Sequence, residues 1–252
     1  MIQWQEKDHY NFDDLHTICR ILRHPQHGCP WDKVQTHQSI RKNFLEETCE
    51  AMEAIDAQDP VMLREELGDV LMQVALHVCM EEEAGNFTLS DVCREVCEKL
   101  VFRHPHIFSS STAENAGLSS WEELKNKEKG RTTLADEVNT VPATLPALMR
   151  AQKLQKRAAP YQPQLGDAAA AELALDAAYA ALKDKLHQPQ PPKQPGAPET
   201  APAAEVQAGQ FLLAACNLLR LSGVDAEQAL SLAARQYAQQ LTNGQAADRQ
   251  DL

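Results

Sequence analysis

The sequence predicts an all-α protein, and three observations carry that prediction. Helix start signals recur along the chain, the clearest being Asp59-Pro60. There the aspartate accepts from exposed backbone N–H groups, and proline suits the first helical position. Between such signals the apolar residues fall at three- and four-residue steps. No segment alternates apolar and polar residues as a half-buried strand does.

Taken in order, a first helix is expected over about residues 11–23. A second, 39–57, has Ser39 as its candidate cap, and the third, 60–83, starts at Asp59-Pro60. Ser90 and Ser120 are candidate caps for helices at 89–102 and 119–128, each with acids in the first turn. Further helices are expected at 144–158, 167–186, 205–221 and 225–241. Composition shifts near residue 160, where alanine rises and acids thin out. The stretch "HQPQPPKQPGAPETAPAAE" from His187 to Glu205 is proline-rich and of low complexity. It cannot propagate a helix or supply core, and is expected to be a mobile linker.

Composition bounds the function. The chain has 252 residues, 43% of them hydrophobic, enough for one large domain or two small ones. The formal net charge of −12 argues against broad, non-specific binding to nucleic-acid polymers or anionic membranes. No apolar run is long enough to span a bilayer. The N-terminal "MIQWQEKDHYNFDD" has no apolar signal-peptide core, so a cytoplasmic location is expected. Seven cysteines, an odd number, sit mostly on helical faces and read as thiols used as small apolar residues. Cys93 and Cys97 are four apart with no second pair, which argues against zinc.

The chemistry concentrates in "NFLEETCEAMEAI", residues 43–55. On a helix, Phe44, Leu45, Thr48, Cys49, Met52 and Ile55 share one arc, and Glu46, Glu47, Glu50 and Glu53 the opposite one. An amphipathic helix with a solvated acidic face explains this much. The next helix, "LGDVLMQVALHVCM", is apolar on nearly every side and reads as buried in a core or an oligomer interface. Its polar exceptions Glu66, Asp69, Gln73 and His77 form one stripe. A carboxylate at the start of a buried helix costs several kcal/mol unless partnered. Two partners suit it: an arginine such as Arg41, Arg64 or Arg103, or a divalent cation held between the two helices. Magnesium fits the ligand type, being hard and oxygen-seeking, and it completes its shell with water and phosphate.

"EETCE" (46–50) followed by "EELGD" (65–69) resembles the signature of the all-α nucleoside triphosphate pyrophosphohydrolases. "GCPWDKVQTHQSI", "RHPHIF", "WEELKNKEK" and "LPALMRAQKLQKRAA" are similar to the MazG branch of that family. The resemblance is strong over about residues 10–160 and weak to about 240. It implies two tandem MazG-type helical bundles in a homodimer. Residues 1–135 would be the catalytic domain, 136–160 a connecting helix, and 161–245 a degenerate repeat carrying the insertion 187–204. It implies Mg2+ bound by Glu47, Glu50, Glu66 and Asp69, with Glu46 a nearby acid that positions or deprotonates water. The substrate would be a nucleoside triphosphate, cleaved to the monophosphate and pyrophosphate. Lys99, Arg103 and Lys125 are candidate phosphate clamps, and Trp31 and Trp121 candidate base platforms. His37, His104 and His106 are further candidates for contacting phosphate or base.

The second half departs from that pattern. "QAGQFLLAACNLL" (207–219) overlays "ELGDVLMQVALHV" (66–78) without a gap, yet Gln207 and Gln210 stand opposite Glu66 and Asp69. "ELALDAAYAALKDKL" (172–186) has no acidic signature, and Gln236 and Gln240 replace the basic pair. Neutral amides hold Mg2+ far more weakly than carboxylates. A non-catalytic second repeat is therefore expected. The alternative function is a nucleotide-sensing or protein-binding regulator with vestigial hydrolysis.

Overall fold

A computed structural model describes residues 4–108, 130, 132–187 and 203–248. Every regular element among the described residues is helical. The chain divides into two compact units, Met1–Leu124 and Lys125–Leu252. The helix and serine cap expected near 119–128 lie outside the described residues, as does most of the proline-rich stretch.

The first unit contains α1 (Phe12–Leu22), α2 (Arg41–Ala57), α3 (Pro60–Ala84), α4 (Leu89–Arg103) and the single turn α5 (Pro105–Phe108). Asn11 caps α1 reciprocally with Asp14, each side chain accepting from the other's backbone N–H. The helix places Cys19 in a core with Ile40 and with Ala75, Leu76, Cys79 and Met80 of α3. Phe12, Leu15 and Met72 close its edges. Burial pushes the thiols of Cys19 and Cys79 up to about 11 and about 12, so both are neutral fillers of apolar space. Cys216 is buried as well, but Cys49, Cys93 and Cys97 are exposed, so the apolar-filler reading holds for part of the set.

Two of the expected caps differ. Helix α2 begins at Arg41 with no side-chain cap. Ser39 Oγ instead accepts from the Thr36 N–H at 2.9 Å and donates to Gln35 Oε1 at 2.7 Å, closing the turn before the helix. That turn delivers Ile40, 1% exposed, into the core, where its burial contributes about 1.5–3 kcal/mol. Helix α4 is capped by Thr88 rather than Ser90, because Asp91 stands three residues after Thr88 and completes the reciprocal pair. Asp59 caps α3 as expected, its carboxylate accepting from the Val61 and Met62 N–H groups. Gln58, at φ 55°, ends α2 in the left-handed region, so α3 turns back antiparallel against it.

One arginine ties the first unit together. Arg23 donates from Nε and Nη2 to the two carboxylate oxygens of Glu83, each at 2.8 Å. Its Nη1 donates to the carbonyls of Asp32 and Gln35. The end of α1, the end of α3 and the loop between α1 and α2 thus share one buried guanidinium. Gly28 lets that loop fold closely: a Cβ there would lie 2.3 Å from the Leu22 carbonyl oxygen.

The second unit contains α6 (Leu134–Asn139), α7 (Ala147–Ala158), α8 (Ala168–Leu186), α9 (Ala203–Leu221) and α10 (Ala226–Asp248). Helix α7 packs against α6, α9 and α10, and α8 packs along α9. Helix α7 has no cap of its own. Glu227 of α10 supplies one, accepting from the Leu148 and Met149 N–H groups at 3.2 and 3.3 Å. Gln152 donates to the Cys216 and Val224 carbonyls and accepts from the Ala226 N–H. Arg157 and Glu137 form a buried ion pair at 3.0 Å between α7 and α6.

Candidate functional site

The α2/α3 pair positions the acidic cluster. Steps of three and four residues along α3 put Glu66, Asp69, Gln73, His77 and Glu81 on one stripe. Helix α2 lies against this stripe and brings Glu47 to it. Carboxylate oxygens of Glu47, Glu66 and Asp69 all lie within 4.8 Å of one another. Glu50 sits beside them and interacts with both Glu47 and Glu66. No ion pair joins any of these four carboxylates to a lysine or arginine among the described residues. The alternative expected from the sequence, neutralisation by Arg41, Arg64 or Arg103, is therefore not what this geometry provides.

Electrostatics records the consequence. Partial burial, then the charges of Asp69, Glu50 and Glu66, raises the Glu47 carboxyl above the ordinary carboxylate range. Glu66 is raised by loss of water, then by Glu50, Glu65 and Asp69. Oxygen donors held close and hard to ionise together are a donor set that suits a hard divalent cation. Glu46 is drawn elsewhere, to Lys42 one turn back at 2.8 Å on the helix surface.

The pairing of α2 with α3 departs from the face expected for α2. Ala51 and Ala54 are its buried positions, on the side that carries Glu47, and small residues there let the two helices approach. Leu45, Met52 and Ile55, expected to be core, are exposed in the single chain. The first half of α3 also carries exposed Leu67 and Leu71, so Glu66 and Asp69 are half-buried rather than deeply enclosed.

Among the other predicted residues, Trp31 is 56% exposed, in the loop before a single turn of 3-10 helix at Asp32–Val34. Lys99 is half-buried on α4, while Arg103, in its last turn, is 7% exposed. Among the described residues no ion pair joins either of them to the acidic cluster. Trp121 and Lys125 lie outside the described residues. His104 Nδ1 bonds the Leu100 carbonyl and so serves the end of α4.

A second polar feature abuts the cluster. His37 and His77 meet Nδ1 to Nδ1 at 2.7 Å with ring planes only 4° apart, so the two imidazoles touch edge to edge. His37 Nε2 contacts Glu81 Oε1 at 2.7 Å, and Asn86 donates to the other Glu81 oxygen at 2.6 Å. Phe44 of α2 leans on His77. The sequence showed His77 on the stripe but gave no sign of its partner, which comes from a loop 40 residues upstream. The Arg23–Glu83 clamp was equally hidden, since neither residue stands in a recognisable spacing.

Residues 35–108 match the MazG nucleotide pyrophosphohydrolase domain. The chain is 38% identical over 228 residues to the nucleoside triphosphate pyrophosphohydrolase of Escherichia coli, covering 89% of this chain and 83% of that one. It is 34% identical to the nucleoside triphosphate pyrophosphohydrolase/pyrophosphatase MazG of Thermotoga maritima, covering 90% and 83%. A nucleoside triphosphate pyrophosphohydrolase of Mycobacterium tuberculosis is 41% identical over 132 residues, covering 51% of this chain and 40% of its own.

Proposed function

Because the chain belongs to the MazG nucleotide pyrophosphohydrolase family, we propose that it cleaves nucleoside triphosphates to monophosphate and pyrophosphate at the α2/α3 site of its first unit. Family membership makes it a hydrolase of acid anhydrides acting on nucleoside triphosphates. The proposal adds the products, the metal and the place. One observation carries it: carboxylate oxygens of Glu47, Glu66 and Asp69 lie within 4.8 Å of one another, and no lysine or arginine among the described residues pairs with them.

Glu47, Glu50, Glu66 and Asp69 would hold Mg2+. Bound there, the ion supplies charge neutralisation for the triphosphate and lowers the pKa of the attacking water. Water oxygen attacks the α-phosphorus, the bond to the bridging oxygen breaks, and pyrophosphate leaves. Lys99, Arg103 and Lys125 are proposed to hold the departing phosphates, and Trp31 and Trp121 to stack on the base. Glu46 is proposed to accept a proton from the attacking water, directly or through an intervening water, on release from Lys42.

We also propose a homodimer in the cytoplasm. Leu45, Met52 and Ile55 on α2 and Val92, Val96 and Leu100 on α4 form exposed apolar rows that a second copy would cover. No described helix is long and apolar enough to cross a membrane.

Incubation with a panel of nucleoside triphosphates and Mg2+ tests the reading. Monophosphate and pyrophosphate support it, whereas diphosphate and phosphate contradict it. Light scattering on the purified chain tests the dimer. The eroded second unit favours one other reading, a sensor with vestigial hydrolysis. Tight nucleotide binding without measurable turnover would select it.

A further inference from the structure

We infer that His77, held in one tautomer by His37 and Glu81, is a base-recognising residue: its Nε2 accepts a hydrogen bond from the nucleobase edge of the bound nucleotide. The inference rests on the pyrophosphohydrolase reading of the α2/α3 site.

The tautomer follows from the chain of contacts. Glu81 is an acceptor on both oxygens, one facing Asn86 Nδ2 and the other His37 Nε2. In the neutral pair His37 therefore carries its proton on Nε2 and presents a lone pair at Nδ1. The 2.7 Å contact to His77 Nδ1 then needs a proton from His77. That leaves His77 Nε2 as a lone-pair acceptor with a fixed direction. It has no hydrogen-bond partner among the described residues, and it is not among the enclosed unpartnered atoms.

Position supplies the ligand. His77 is eight residues beyond Asp69 on the same stripe, about 12 Å along the axis. That is roughly the reach of a nucleotide from a metal-bound α-phosphate to the far edge of its base. Gln73 lies between them, 4% exposed, and its Oε1 has no donor among the described residues. Two successive turns of the stripe thus lack hydrogen-bond donors, next to the acids that would hold the phosphates. Phe44 walls the position with an aromatic ring. Where the second unit loses its acids it loses this set too. In the register that aligns Glu66 with Gln207, Gln73, His77 and Glu81 correspond to Ala214, Leu218 and Ser222.

The test compares kcat/KM for ATP, GTP, CTP and UTP in the full chain and in His77→Leu and His37→Leu. Donors sit at different places on the four bases, so the wild type should discriminate among them. His77→Leu should flatten the ratios about tenfold, the span one hydrogen bond commands. The change should fall on KM and leave kcat nearly intact. His37→Leu should act in the same direction and more weakly. In the wild-type protein, the 15N resonance of His77 Nε2 should move with the matching nucleoside monophosphate and stay put with Mg2+ and pyrophosphate. Equal ratios in the wild type, ratios unchanged in His77→Leu, or a resonance that answers to pyrophosphate alone would each overturn the inference. So would a preference that follows only ribose against deoxyribose. An inactive wild type would sink the pyrophosphohydrolase reading, while the resonance would still decide whether His77 meets a base.

Discussion

The α2/α3 and α8/α9 hairpins share a packing register and differ in almost everything polar. Ala75 and Leu76 are buried on α3, and Cys216 and Asn217, 141 positions later, are buried on α9. That coincidence supports a tandem repeat. Yet Glu66 and Asp69 correspond to Gln207 and Gln210. Core positions have changed as well: Leu76 and Cys79 correspond to Asn217 and Arg220. Asn217 Oδ1 accepts from Arg220 Nη2 at 2.7 Å, and the guanidinium reaches the Leu165 carbonyl. Burial holds Arg220 below the usual arginine range. The difference teaches that helix register is set by a few small or apolar contacts. A metal site would need every charge in place, so the same register can persist where the carboxylates do not.

The largest expected effect breaks this contrast directly. Asp69→Asn removes one charge from the cluster without changing its shape. Hydrolysis should fall more than about 100-fold, beyond what residues that merely orient metal ligands cost. Gln210→Ala, at the corresponding place, should leave the rate unchanged. Steady-state rates with matched far-ultraviolet circular dichroism decide it. If Gln210→Ala cripples turnover, the active half has been misassigned.

Next comes stability, where the second unit depends on its polar interior more than the first. Arg157→Ala leaves Glu137 buried without its guanidinium and should cost about 3–5 kcal/mol in denaturant unfolding. Arg23→Ala should cost less, because the Glu83 side chain it releases is already half exposed to water. Equal losses would mean that burial of the carboxylate does not set the penalty.

The pH dependence sharpens the comparison further. Glu47 and Glu66 are harder to ionise in the folded chain than the ordinary value of 4.5. A group whose folded pKa is raised favours the folded state below its unfolded pKa. That advantage is lost as pH rises through the folded value. Asp14, Glu81 and Asp91 are lowered and work in the opposite direction, so the useful quantity is a difference. Relative to wild type, Glu47→Gln/Glu66→Gln should be no more stable below pH 4.5. Its melting temperature should pull ahead as pH rises through the carboxylate range. Mg2+ should raise the melting point of the wild type and not of the variant. A difference that does not grow with pH would mean that these carboxylates do not repel.

How much of this was legible in the sequence depends on distance along the chain. The Asp59-Pro60 start, the Glu66/Asp69 spacing and the stripe through His77 are local patterns, and the structure keeps them. The buried face of α2 differs from the expected one because hydrophobicity favours Leu45, Met52 and Ile55, whereas close helix approach favours Ala51 and Ala54. A helix that buries alanines against one neighbour can leave its larger apolar residues for another. Ser90 lost to Thr88 because an acid three residues later completes a reciprocal cap, and only Thr88 has one there. His37 with His77, and Arg23 with Glu83, join residues too far apart for any periodicity to reveal.

The smallest expected effect concerns Glu46, the acid that sequence placed beside the attacking water and the folded chain pairs with Lys42. An exposed pair one helical turn apart is screened by water and contributes little, so the carboxylate leaves Lys42 easily when a better partner arrives. Glu46→Gln should therefore leave stability almost unchanged. It should lower kcat by about 100-fold, the lower end of what a positioned proton acceptor contributes, and leave Mg2+ affinity close to wild type. Lys42→Ala should keep full activity, since the lysine only parks the side chain. A Glu46→Gln variant with wild-type kcat would reduce Glu46 to a surface partner of Lys42. The general base would then have to be sought among the metal-facing carboxylates.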